Sequence, residues 1–151
     1  MLRLPKYLWF VRMKVNKIVE LKTLYSFEAP VFDAHGTAGT SQSAELKNKL
    51  DLNSYLAPFP GETYLVKVSG ESMINEGIYD GDILVVNKRD RPVDGKVVIA
   101  SLNGEMAVKT YRDIHGVIYL FSANDKFLPI EIKPFWEFEI QGVVKHVIHA
   151  V

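Results

Sequence analysis

From Tyr64 onward the chain repeats one pattern, a short apolar run followed by a turn signal. The runs are YLVKV (64 to 68), ILVVN (83 to 87), KVVIA (96 to 100), MAVKTY (106 to 111), VIYLF (117 to 121) and an alternating stretch from Trp136 to Ile148. Between them stand Asp80-Gly81-Asp82, Asp94-Gly95, Asn103-Gly104 and His115-Gly116. These residues tolerate positive φ or bond to their own backbone, as tight turns require. Strands this short and this regularly spaced pair with their neighbours in sequence. The expected fold is therefore mostly β, a compact antiparallel β domain.

The 151 residues, 48% of them hydrophobic, are enough for one such domain with a tail. Residues 33 to 45 (DAHGTAGTSQSAE) are small and polar, with neither helical nor strand periodicity. They read as a linker. The expected division is a flexible N-terminal arm and linker over 1–45 and a β-rich domain over 46–151, which opens with a short amphipathic stretch from Leu46 to Leu56.

Eighteen basic residues balance eighteen acidic ones, so the chain as a whole lacks the electrostatic footprint of a nucleic-acid binder. The arm is nevertheless basic, with Arg3, Lys6, Arg12, Lys14, Lys17 and Lys22 against Glu20 among its first residues. With no cysteine in the chain, disulfides and thiolate chemistry are excluded, and a reducing compartment, the cytoplasm, is the expectation. Leu2 to Val11 is apolar but interrupted by Arg3, Pro5 and Lys6, far short of the roughly 20 residues of a spanning helix. It also lacks a cleavable leader's small-residue site, so neither secretion nor a membrane anchor is expected.

Among residues able to carry chemistry, His146 and His149 lie in a strand-like stretch where period-2 geometry sets them on opposite faces; they read as surface histidines. The linker's GTAGT lacks the lysine and following helix of a phosphate loop. Ser69-Gly70-Glu71-Ser72-Met73 directly follows a strand, and a serine on such a turn is either a local cap or a nucleophile that needs a base. Lysine serves as that base when burial lowers its pKa. Lys109 is the candidate. Alternation sets it on the face of its strand shared with Ala107 and Tyr111, and the competing reading is an ordinary solvent-facing lysine.

These blocks, Ser69 to Met73, then Gly77-Ile78-Tyr79-Asp80-Gly81-Asp82, Asp94-Gly95, Gly104-Glu105-Met106-Ala107-Val108-Lys109 and Gly142-Val143-Val144, together resemble the self-cleaving Ser/Lys peptidase domain of the LexA/UmuD family. The likeness runs from about Leu50 to Val151. It implies a dyad in which neutral Lys109 takes the proton of Ser72, whose oxygen attacks a peptide carbonyl of the protein's own linker. Backbone amides near Glu71 and Ser72 would hold the oxyanion. Ala38-Gly39 matches the type of bond cut, with His35-Gly36 and Gly36-Thr37 as alternatives. The product, residues 39–151, is expected to keep the whole β domain.

One departure is Ala107, where members of the family often carry a threonine able to orient the lysine amine. The arm offers no pair of periodic helices joined by a turn, so direct sequence-specific DNA binding by a LexA-type repressor is not expected. Leu50-Asp51-Leu52-Asn53 resembles the UmuD type in particular. That resemblance implies a homodimer, cleavage stimulated by a RecA filament on single-stranded DNA, and service to the UmuC-type subunit of an error-prone translesion DNA polymerase in the SOS response. The alternatives are a LexA-like or phage-type regulatory dimerisation module with little or no cleavage, and a signal-peptidase-like enzyme. Met13 is a second candidate for the start of translation.

Overall fold

A computed structural model of the chain describes residues 13–20, 28–30 and 49–151. Ten strands, all paired antiparallel, make up most of it: β1 (Met13–Glu20), β2 (Glu28–Pro30), β3 (Lys49–Asp51), β4 (Thr63–Gly70), β5 (Ile83–Asn87), β6 (Val97–Leu102), β7 (Glu105–Ile114), β8 (Val117–Phe121), β9 (Ile130–Glu131) and β10 (Phe138–Ile148). The expected antiparallel β fold is the observed one, and each of the six apolar runs is a strand.

Eight strands form one sheet in the order β1-β4-β5-β10-β6-β7-β8-β9, with β1 also touching β7, so the sheet curls back on itself. β2 and β3 form a separate pair. Among the described residues one α-helix, α1 (Leu52–Leu56), comes after β3, with Asp51 accepting hydrogen bonds from the Asn53 amide and the Ser54 hydroxyl. That is the capping expected of an aspartate at a helix start.

The hairpins obey their turn residues. Asn103 and Gly104 have φ of 49° and 82°, and His115 and Gly116 have 53° and 81°. Two successive positive φ values are the signature of the type I′ turn, whose twist matches that of the strands it joins. The first turn sets β6 against β7, the second β7 against β8.

Curling gives the sheet two apolar clusters. One joins Tyr64, Val66, Val68, Met73, Ile78, Leu84, Val86, Ile99 and Val108; the other joins Val98, Ala100, Leu102, Ala107, Leu120 and Val143. Successive residues of β6 and β7 therefore alternate between clusters, which explains why both faces of these strands are apolar and buried. β10 crosses the middle of the sheet between β5 and β6, and its register shifts between Ile140 and Gly142. At Gly142 the backbones come close: a Cβ there would lie 2.6 Å from Val86 Cγ1 and 2.8 Å from the Asn87 carbonyl oxygen.

Two strands lie where the sequence pattern shows only an arm. β1 runs along β4 from Met13 opposite Gly70 to Glu20 opposite Tyr64, so residues 13–20 belong to the main sheet. A cut at Ala38-Gly39 would detach β1 and β2 from residues 39–151, and the expectation that the product keeps the whole β domain is corrected accordingly. Ala38, Gly39 and the linker lie outside the described residues. So does the extension before Met13.

Candidate functional site

Ser72 sits on the turn that leaves β4. Asp80 and Gly81 hold that strand end: Gly70 N–H donates to Asp80 Oδ1 (2.8 Å) and Gly81 N–H to the Val68 carbonyl (2.9 Å). Gly70 has φ of 107° and Gly77, which closes the single 3-10 turn after Ser72, has φ of 72°. Both values lie where L side chains are disfavoured. The glycines thus define a compact excursion that carries Ser72 into the protein while Glu71 and Ile74 to Gly77 stay exposed.

Ser72 has no exposed surface, and its Oγ makes no hydrogen bond. Among the described residues no other buried side-chain nitrogen or oxygen lacks a partner. An orphaned buried hydroxyl costs on the order of 1 to 3 kcal/mol, so most buried polar groups find partners and an exception asks for a reason.

Lys109 lies on β7 with no exposed surface. The sequence set a solvent-facing strand lysine against a buried one, and the structure has the buried one. Burial brings its pKa down to about 8, because removing an ammonium from water disfavours the charged form. Its Nζ donates to Ser122 Oγ at 2.7 Å. Ala107, its neighbour on the same face of β7, is also fully buried and can contribute only a methyl group.

Three observations bring the serine turn and the lysine strand together. Lys14 of β1 is registered with both Ser69 of β4 and Ala107 of β7, so the two strands converge just before they reach Ser72 and Lys109. Met73 packs in one cluster with Val108. The segment after β8 then ties the turn down: Ala123 N–H donates to Met73 Sδ (3.4 Å), Asn75 N–H to the Ala123 carbonyl (2.8 Å), and Asn124 Nδ2 to the Glu71 carbonyl (2.9 Å). Ser72 and Lys109 are not hydrogen-bonded to each other, since Ser72 Oγ has no partner.

Ser122 and Asn124 are not singled out by the sequence. The available signal was the type I′ turn at His115-Gly116. Its register pairs Ile114 with Val117 and Thr110 with Phe121, so the next step along both strands sets Lys109 beside Ser122.

The histidines lie elsewhere. His146, on β10, stacks near Tyr55, and His149 Nδ1 lies 2.6 Å from Asp82 Oδ1. Among the described residues no group of three or more His, Cys, Asp or Glu side chains could hold a metal ion, and no helix is long and apolar enough to cross a membrane.

Residues 30–145 match the family described as Peptidase S24-like. The chain belongs to that family. Its relatives among curated proteins include Protein ImpA of Salmonella typhimurium, 35% identical over 134 residues, an alignment that covers 82% of this chain and 86% of that one. LexA repressor 2 of Pseudomonas putida is 39% identical over 80 residues, and the LexA repressor of Colwellia psychrerythraea 35% identical over 103. Those alignments take in 53% and 68% of this chain but only 40% and 47% of the repressors, so the chain spans less than half of their length. The resemblance to the LexA/UmuD family rests on the same blocks, Ser69 to Met73 and Gly104 to Lys109, that the S24-like match spans.

Proposed function

We propose that this member of the S24-like peptidase family cuts its own chain, with Ser72 as nucleophile and Lys109 as general base. The observation that carries the reading is the condition of Lys109, a lysine without exposed surface whose pKa is lowered to about 8. Such an amine is partly neutral near physiological pH, as a base must be. Ser72 supplies a hydroxyl committed to no other group.

In the reaction the amine of Lys109 takes the Ser72 proton while Oγ bonds to the Ala38 carbonyl carbon, and the negative charge passes to the carbonyl oxygen. Backbone amides of Glu71 and Ser72 stabilise that oxygen. Collapse breaks the Ala38-Gly39 bond, with the Lys109 ammonium giving its proton to the departing Gly39 nitrogen. Water, deprotonated by the same amine, then hydrolyses the Ala38 ester and restores Ser72. Tethering makes the attack intramolecular, which removes most of the entropic cost of bringing substrate to the site.

Relatives named as LexA repressors and ImpA support a role in the SOS response. On this reading the protein is a cytoplasmic homodimer of UmuD type, cut when a RecA filament engages it, and its shortened form serves a UmuC-type polymerase subunit. Intact mass before and after alkaline incubation, with and without activated RecA, tests the proposal. A chain that stays whole under both conditions would favour the regulatory dimerisation module instead.

A further inference from the structure

We infer that Ser122 is a positioning residue for the base: its hydroxyl fixes the amine of Lys109 beside the Ser72 turn. The inference rests on the Ser72/Lys109 reading and adds to it a residue outside the pair. Lysine has four rotatable side-chain bonds, and a neutral amine also turns about its last one. A base that wanders in this way presents its lone pair to the serine only part of the time. Burial confines the stem of Lys109 but does not by itself give its nitrogen a direction. Of its same-face neighbours on β7, Ala107 offers only a methyl group, which cannot accept a hydrogen bond. A directing group comes from across the hairpin, where Ser122 Oγ accepts from Nζ at 2.7 Å. Committing one N–H to that oxygen limits rotation about the terminal bond and therefore the direction of the lone pair.

Ser122 is suited to the task by its place in the chain, directly ahead of two residues that hold the serine turn. Ala123 bonds that turn through both its backbone groups, to Met73 Sδ and from Asn75 N–H, and Asn124 holds the Glu71 carbonyl. Three consecutive residues thus grip the base at one end and the turn of the nucleophile at the other. The segment is a brace, and the spacing between amine and hydroxyl is set through it. Among charged residues on the packed elements, Glu71 of the turn is exposed and Lys14 of β1 is registered with Ala107. Burial is the cause of the lowered lysine pKa.

The test is self-cleavage of the full chain, followed by intact mass from neutral to alkaline pH, for wild type, Ser122→Ala, Ser122→Thr and Ser72→Ala. An oxygen that accepts from the amine stabilises the ammonium more than the neutral form, so its removal lowers the lysine pKa further. Ser122→Ala is expected to shift the inflection of the rate profile to lower pH while the alkaline plateau falls about tenfold to a hundredfold, the scale of a misplaced catalytic group. Ser122→Thr, which keeps the hydroxyl, is expected to stay within a few-fold of wild type. Should the alanine variant not fold, Ser122→Gly, which also removes the hydroxyl and adds no titratable group, gives the same readout. A plateau that falls with an unmoved inflection, or a variant indistinguishable from wild type while Ser72→Ala is inert, overturns the role of Ser122 alone. Cleavage of Ser72→Ala at the wild-type rate overturns the underlying dyad.

Discussion

Asn124 donates its side-chain amide to the Glu71 carbonyl across 2.9 Å, joining residues 53 positions apart and anchoring the residue immediately before Ser72. Asn124 is itself buried, and its Oδ1 accepts from the Lys126 amide, so both ends of its amide are used. Asn124→Ala removes both bonds and loosens the turn. The expected result is a stability loss of about 1 kcal/mol and self-cleavage slowed about tenfold through misplacement of Ser72. Urea unfolding and cleavage rate on the same preparation check the two parts.

Ser72→Ala is expected to abolish self-cleavage and to raise stability by about 1 kcal/mol, because it deletes a buried hydroxyl that bonds to nothing and leaves no polar group orphaned. A serine that merely capped the turn would cost stability on removal. The sign of the change in denaturation midpoint separates the two.

The lowered pKa of Lys109 has two consequences that are read separately. Cleavage should rise with pH through about 8 and level off above it, as the neutral amine accumulates. Stability should carry a penalty below that value, since the unfolded lysine, at 10.5, binds a proton that the folded one resists. Between about 8 and 10.5 the unfolded state holds more protons, so stability rises with pH across that window. Lys109→Met removes the ionisable group from its buried site and is expected to stabilise the protein by up to about 3 kcal/mol at neutral pH. It should also abolish cleavage. Thermal melts at neutral and alkaline pH, in which the gain of the variant shrinks as pH rises, provide the check.

The parts of this fold that were legible in the sequence are those whose pattern is local. β5 and β8 coincide with their apolar runs to the residue, because Asn87 and Phe121 end uninterrupted stretches bounded by turn residues. β1 was hidden by its own irregularity. Met13 and Val15 alternate properly, but the pairing with β4 shifts between Val15 and Lys17, and a bulge moves the apolar residues beyond it out of phase. β2 and β3, of three residues each, are too short to show any period. Ser72 and Lys109 stood out as residue types in context. Ser122 did not, because a serine after an apolar run resembles any other strand end, and its meaning lies in the hairpin register that brings it to Lys109.

Gly142 marks a place where backbone approach excludes even a methyl group. Its missing Cβ would meet Val86 Cγ1 and the Asn87 carbonyl, the latter a backbone atom that cannot turn aside. Gly142→Ala must push β10 away from β5 at the centre of the sheet, and overpacking of this kind costs about 1 to 3 kcal/mol. A denaturation midpoint unchanged by this substitution would mean that the two strands lie farther apart than described.

The choice of scissile bond answers to a constraint that the site imposes on its substrate. β1 pairs with β4 as far as Met13 opposite Gly70, and β5 pairs with the other edge of β4, so a linker segment cannot reach Ser72 by adding a strand alongside β4 while β1 is in place. It must enter beyond Gly70, where the pairing ends, and bend sharply into the site. Small residues make that bend possible, and glycine on the leaving side permits backbone angles closed to other residues. Ala38-Gly39, the bond that the family resemblance implies, meets this requirement. Gly39→Val should slow cleavage sharply with the fold intact, and the product of the wild-type chain should begin Gly39-Thr40-Ser41. Because β1 lies in the released residues 1–38, the purified product should also unfold at a lower urea concentration than the uncut chain, having lost a strand from its main sheet. A product beginning at Gly36 or Thr37 relocates the bond within the linker. One that lost no stability on removal of residues 1–38 would show that β1 contributes little to holding the sheet closed.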